Sequence, residues 1–192
     1  MRKATVERKS KETVVKVSVN LDGTGKSDVK TGVRFLDHML DSLSTHSLID
    51  ITLKARGDLQ HHIVEDVALS LGTALSKALG DRRGLVRFGY ALVPMDDALA
   101  LAATDLVRRP YSAVDLGLQR TMLEDAPRED LDHFFSSLAT SLEATLHVKV
   151  IDGKNDHHKF EAAVKAVALS LRNAATADPR RKGTTPSSKG MM

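Results

Sequence analysis

Two histidine–carboxylate patterns of the same form carry the chemistry of this 192-residue chain. Leu36-Asp37-His38 is followed, 23 residues after its histidine, by the block His61-His62-Ile63-Val64-Glu65. Leu131-Asp132-His133 is followed at 24 residues by His157-His158-Lys159-Phe160-Glu161. The copies are offset by 95 residues at the lone histidine and by 96 at the HHxxE block, and six of the eight histidines fall in them. A lone HH pair at a helix start is more often solvated or capping. Repetition, with the glutamate in register and a third histidine at matched spacing, instead indicates an internal duplication that supplies metal ligands in pairs. Imidazole and carboxylate without any cysteine suit Mn, Fe, Zn, Co or Ni better than Ca or Mg.

On a helix each residue turns about 100°, so Glu65 lies ~40° from His61 and ~60° from His62, while the adjacent histidines diverge by ~100°. The neighbours therefore suit two different ions, or one ion here and one across an interface. His38, His61, His62, Glu65, His133, His157, His158 and Glu161 are the candidate ligands. Shared equally by two ions, they leave about two positions of a six-coordinate metal open to a chelating substrate.

The elements that must position these residues recur in one order. Val15, Val17, Val19 and Leu21 alternate with Lys16, Ser18 and Asn20, which predicts a half-buried strand over 13–21. Phe35, Leu36, Met39, Leu40 and Leu43 predict a short amphipathic helix carrying His38. A strand over 49–55 and a turn at Gly57-Asp58 lead to a helix from His61 to a stop at Gly80. Residues 87–118 read as several strands, broken near Pro94-Met95-Asp96-Asp97 and at Pro110. A helix over 133–146, a strand over 147–151, a turn at Asp152-Gly153 and a helix over 157–175 complete the second round. The expected division is a first half-repeat over 1–95, a second over 96–177 and a tail over 178–192 that composition alone makes unstructured.

Composition bounds the rest. Apolar residues make up 42% and charged residues 28% of mixed sign, which suits a globule with a core. No apolar run approaches the ~18 residues of a membrane span, and the polar start is not a signal peptide, so a cytoplasmic protein is expected. The net charge of +3 permits an anionic ligand, while 4% aromatics and no binding motif argue against nucleic acid.

The motifs resemble those of the imidazoleglycerol-phosphate dehydratases of histidine biosynthesis, and the resemblance covers nearly the whole chain. It rests on Phe35-Leu36-Asp37-His38-Met39-Leu40 and both HH blocks, with Asn20-Leu21-Asp22-Gly23-Thr24-Gly25, Arg87-Phe88-Gly89, Pro94-Met95-Asp96 and Arg109-Pro110-Tyr111. Further support comes from Asn155-Asp156-His157-His158, Asp178-Pro179-Arg180-Arg181 and Pro186-Ser187-Ser188-Lys189-Gly190. It implies a duplicated α+β fold of the ribosomal protein S5 domain 2-like kind, each half pairing a mixed sheet with two helices. It also implies two Mn²⁺ per active site, held by the eight residues named, and a 24-subunit shell built from trimers with active sites between subunits. The implied substrate is a small phosphorylated imidazole, dehydrated to imidazole acetol phosphate through a dimetal-bound imidazolate.

Phosphate-binding positions of that family fall on Arg87, Arg109, Lys165, Ser187 and Lys189, and other substrate contacts on Glu12, His38 and His46. Glu12 is the candidate general base, although local sequence reads it as a solvated residue at a strand start. His46 is a second proton-transfer candidate, or equally a polar residue at a helix end. Read alone, Arg87, Arg109 and Lys165 are solvated cations; with the resemblance, the tail orders over a phosphate. Asp96 reads as a turn carboxylate and His147 as structural. One departure stands out: Gly57-Asp58-Leu59-Gln60 before His61 is three residues shorter than the family's acidic loop. A carboxylate that would orient His61 or His62 is expected to be missing there, and manganese affinity to suffer. A dinuclear metallohydrolase, or metals that merely staple an oligomer, would use the same ligand types.

Overall fold

The computed structural model describes residues 2–191. Valines on alternate positions drive the first sheet: β2 (Thr13–Asn20) buries Thr13, Val15, Val17 and Val19 on one face. It pairs antiparallel with β1 (Lys3–Lys9) on one side and with β4 (Asp50–Gly57) on the other, and β3 (Ser27–Lys30) joins β4 in parallel. The order is β1-β2-β4-β3. The second sheet repeats this order and these directions with β5 (Phe88–Met95), β6 (Ala98–Asp105), β10 (Thr145–Asp152) and β7 (Tyr111–Asp115). Each sheet is mixed, and the chain is a duplicated α+β fold. A two-stranded hairpin, β8 (Met122–Leu123) with β9 (Ala126–Pro127), is added in the second half.

Four helices lie between the sheets: α1 (Arg34–Ser47), α2 (Gln60–Leu79), α3 (Arg128–Leu142) and α4 (Asp156–Ala175). Helix α2 covers β1, β2 and β4, while α4 covers β5, β6 and β10. The short helices cross over: α1 packs on α4, and α3 on α2. The apolar stripe of α1 predicted from Phe35 to Leu43 is buried as expected. Helix α2 carries Gly72 where a Cβ would meet the Leu138 carbonyl at 2.7 Å and the Ser141 hydroxyl, so glycine is what lets α3 approach.

Several boundaries differ from expectation. Strands β1 and β3 were not anticipated, because both are sheet edges with polar, largely exposed residues. Helix α3 begins five residues before His133 and ends at Leu142, where Glu143 turns left-handed at φ 55°. Ala144 and Leu146, apolar like the helix before them, lie instead at the entry into β10. The division expected after residue 95 falls at the turn of the β5–β6 hairpin, so the second sheet already includes Phe88–Met95. Residues 178–191 are not loose, contrary to their composition. Gly84 N–H donates to the Thr184 carbonyl (2.9 Å), Asp178 N–H to the Gly84 carbonyl (2.8 Å), and Arg87 Nη1 to the Pro186 carbonyl (2.7 Å).

Gly72→Val should lower the unfolding free energy by about 3 kcal/mol, the upper end of overpacking penalties, because the obstruction is helix backbone. Denaturant unfolding measures this; an unchanged midpoint would mean that α2 and α3 can part at little cost.

Candidate metal centre

The crossing of helices decides which ligands meet. His38 on α1 faces His157 and Glu161 on α4, and ligand atoms of these three lie within 4.8 Å of one another. His38 Nε2 is 3.8 Å and His157 Nε2 3.4 Å from Glu161 Oε2. The His157–Glu161 pair is the i, i+4 pair that helical geometry brings onto one face. More loosely, His61 on α2 faces His133 on α3, with ring centroids 6.3 Å apart, and Glu65 lies near enough to act on the His61 charge, although among the described residues only the first trio has its ligand atoms gathered. The lone histidine of each half therefore joins the HHxxE block of the other half.

Neither His62 nor His158 belongs to the gathered group of His38, His157 and Glu161. The rings of His61 and His62 are 6.1 Å apart at 60°, and those of His157 and His158 6.2 Å apart at 81°. Adjacent histidines thus diverge, as the helical turn requires. Among the described residues, no group gathers four of the eight candidate ligands.

Each histidine of the two HH blocks has a carboxylate on Nδ1. His61 meets Asp130 at 2.6 Å, His62 meets Asp58 at 2.8 Å, His157 meets Glu124 at 3.2 Å and His158 meets Asp97 at 2.5 Å. A carboxylate can only accept here, so Nδ1 carries the proton and Nε2 keeps its lone pair. That is how a metal-binding imidazole is set up, and the donor set fits a divalent transition metal. The carboxylate expected to be lost with the shortened loop is therefore replaced: Asp58 serves His62 from the loop itself, and Asp130 reaches His61 from α3. Asp96 is also closer than a turn residue need be, with Oδ2 3.4 Å from His158 Nε2.

Charge follows the geometry. The Asp130 bond holds the His61 imidazole above its ordinary pKa, and the Asp58 bond does the same for His62. His46 goes the other way, lowered first by burial and then by Lys165. Glu161 is held low despite burial by Lys165, whose Nζ is 2.8 Å from Oε1.

Two residues at one hairpin tip tie the first group together. Glu124 bonds His157, while Asp125 accepts from the Arg34 and Phe35 amides at 2.8 and 2.9 Å. Val33, before α1, has no side chain able to cap it. Asp125 thus caps, from a distance, the helix that carries His38. Sequence reasoning missed Asp58, Asp97, Glu124, Asp125 and Asp130. A capping carboxylate 90 residues away in sequence leaves no local signal.

The expected phosphate positions divide into two places. Arg87, Arg109, Ser187 and Lys189 line one pocket, with Arg108 and Met191 beside them. Arg87 is buried, bonded through Nε and Nη2 to Asp105 at 2.7 and 3.0 Å. Lys165 and His46 lie instead by Glu161. Glu12 is exposed in a hollow with Lys11 and Arg56, close enough to raise the His62 pKa. His147, on the outer face of β10, stacks at a tilt on Tyr111 with centroids 5.7 Å apart.

Comparison with known proteins gives the family. The family model described as imidazoleglycerol-phosphate dehydratase matches residues 31–171. The chain belongs to that family. It is 48% identical over 191 residues to the enzyme so named from Dehalococcoides mccartyi (strain CBDB1), covering 100% of this chain and 97% of the relative. It is 51% identical over 195 residues to the one from Cereibacter sphaeroides (strain KD131 / KCTC 12085), with 100% of both covered. The solved imidazoleglycerol-phosphate dehydratase of Staphylococcus aureus subsp. aureus N315 superposes with a TM-score of 0.84 at 31% identity, over 91% of this chain and 99% of that one. The Pyrococcus furiosus structure, in complex with (S)-C348, gives 0.85 at 36% identity over 97% and 100%. The chain is therefore a hydro-lyase that dehydrates imidazoleglycerol phosphate to imidazole acetol phosphate in histidine biosynthesis. None of its described helices is long and apolar enough to cross a membrane.

The orienting bonds predict the titration of the metal-free protein. By histidine NMR, His61 and His62 should titrate above pH 6.5 and His46 below it. A protonated imidazole cannot ligate, so Mn²⁺ affinity should be full above the raised values and fall as pH drops through them. Asp58→Asn should bring His62 down towards 6.5; a His62 curve that does not move would remove Asp58 from this role.

Proposed function

We propose that the dehydration runs at two Mn²⁺ ions per active site, lying between subunits of a homo-oligomer, a 24-mer built from trimers. The observation that carries this reading is the incomplete grouping of ligands within one chain. His38, His157 and Glu161 would hold one ion, and His61, His133 and Glu65 the other. His62 and His158, oriented by Asp58 and Asp97 yet outside the gathered group, would complete centres shared with neighbouring copies. A site in the cytoplasm belongs to the same proposal.

When bound, the ions supply Lewis acidity that favours loss of the substrate's imidazole N–H proton. The chain's own residues do the rest. Arg87, Arg109, Ser187 and Lys189 bind the phosphate; the Arg109 fork has no side-chain hydrogen bond among the described residues and can bind it bidentately, while Arg87 is braced by Asp105. Lys165, beside Glu161 in this chain, is the further cation expected at the phosphate. The proton to be lost sits on a carbinol carbon that is not acidic, so a base must stand beside it. Glu12 takes that role, and His46, neutral at pH 7 because burial lowers its pKa, passes or returns a proton at its free ring nitrogen.

The test is turnover. Protein freed of metal and then given Mn²⁺ should form imidazole acetol phosphate from imidazoleglycerol phosphate. His61→Ala and Glu161→Ala should each lose at least about 100-fold, as removal of a metal ligand implies. Glu12→Gln should lower kcat with little change in KM. Full turnover without metal, or undiminished turnover in both ligand variants, would sink the reading.

A further inference from the structure

The two candidate centres are copies of one another, yet their surroundings are not. The repeat offset equates His38 with His133, His61 with His157, and Glu65 with Glu161. At the same offsets it equates Phe35 with Asp130 and Leu69 with Lys165. Both mismatches touch ligands. The Asp130 side chain is 2% exposed, with Oδ1 2.6 Å from His61 Nδ1 and Oδ2 lacking any hydrogen-bond partner among the described residues. At the corresponding place in the other centre, the Phe35 ring stands edge-on to His157 at 5.2 Å. His157 relies instead on Glu124, 56% exposed and at 3.2 Å. Lys165 Nζ lies 2.8 Å from Glu161, whereas the residue four beyond Glu65 is an uncharged leucine.

Both differences act in one direction. A buried carboxylate with one oxygen unshared directs its charge at the His61 ring, even though that ring's side chain is itself 53% exposed, and makes Nε2 a stronger donor. An exposed carboxylate at longer range is screened and does less. An ammonium beside Glu161 repels a divalent cation there. We infer that the two ions are held with unequal strength, the His61–His133–Glu65 centre binding more tightly, and that Asp130 is the positioning residue that makes it so. This rests on the two-metal reading given above. One feature opposes it: the His38–His157–Glu161 ligand atoms are already gathered, while Glu65 must be ordered. Ordering one glutamate costs at most a factor of about 30, and only when its full rotamer freedom is lost. Glu65 is already half-buried, so it loses less. Loss of an orienting carboxylate typically costs 10–100-fold, and the Lys165 charge adds to the difference.

Titration of the metal-free, full-length protein with Mn²⁺, followed by the electron paramagnetic resonance of free Mn²⁺, tests this without reference to activity. Two ions per chain should bind in two steps separated by at least about tenfold. His133→Gln should remove the tight step and His38→Gln the weak one; both side chains are exposed, so neither change threatens the fold. Asp130→Asn should weaken the tight step by about 10–100-fold and leave the weak step in place. Glu124→Gln should move the weak step by no more than about fivefold. Equal steps, a tight step lost in His38→Gln instead, or an Asp130→Asn change that shifts both steps alike would overturn the inference. Fewer than two ions bound by the unaltered protein would overturn the two-metal reading itself, and this inference with it.

Discussion

Everything in this molecule depends on one packing constraint: each half needs the other to cover its helices. The long helix of each half lies on that half's own sheet, but its remaining apolar face is closed by the short helix of the opposite half. Leu36, Met39, Leu40 and Leu43 of α1, and Leu131, Phe135, Leu138 and Leu142 of α3, are buried in this way. Burial of such side chains contributes roughly 1.5–3 kcal/mol each, so exchange of short helices between halves is the main source of inter-half stability. Gly72 fixes how closely one of these pairs can meet.

The same exchange creates the chemistry. A histidine from one half and an HHxxE block from the other become neighbours because their helices are packed for hydrophobic reasons. The carboxylates then do what packing cannot: they choose which ring nitrogen carries the proton and hold each ring at a fixed tilt. Four histidines receive four carboxylates, each from a different element context: a loop before α2, a hairpin turn between strands, the tip of β8–β9, and the first turn of α3. Duplication explains the ligands, but it does not explain these partners, which differ between the halves.

Periodic and repeated features were legible in the sequence. Strand β2, the buried stripe of α1, the long helices α2 and α4 and the candidate ligand set all follow from spacing. What was not legible depended on distant residues or on exposure. Edge strands β1 and β3 have no apolar alternation because one side meets water. The Asp130–His61 and Asp97–His158 pairs span 69 and 61 residues, so neither sequence neighbourhood announces them. The docked tail is held mainly by backbone hydrogen bonds, to which composition is blind. Arg87, Arg109, Ser187 and Lys189 are expected at a phosphate only through the resemblance, and only the fold shows that these four line one pocket.

The β8–β9 tip has a mechanical consequence. Glu124, at φ 51°, and Asp125 are consecutive residues on a two-residue turn. One holds a wall of the first centre through His157; the other holds the start of the helix that forms the opposite wall. The gap between those walls is thus bridged by one two-residue turn, firmly on the α1 side through Asp125 and more loosely on the α4 side through Glu124. The helices that carry His38 and His157 are thereby both referred to the same two residues.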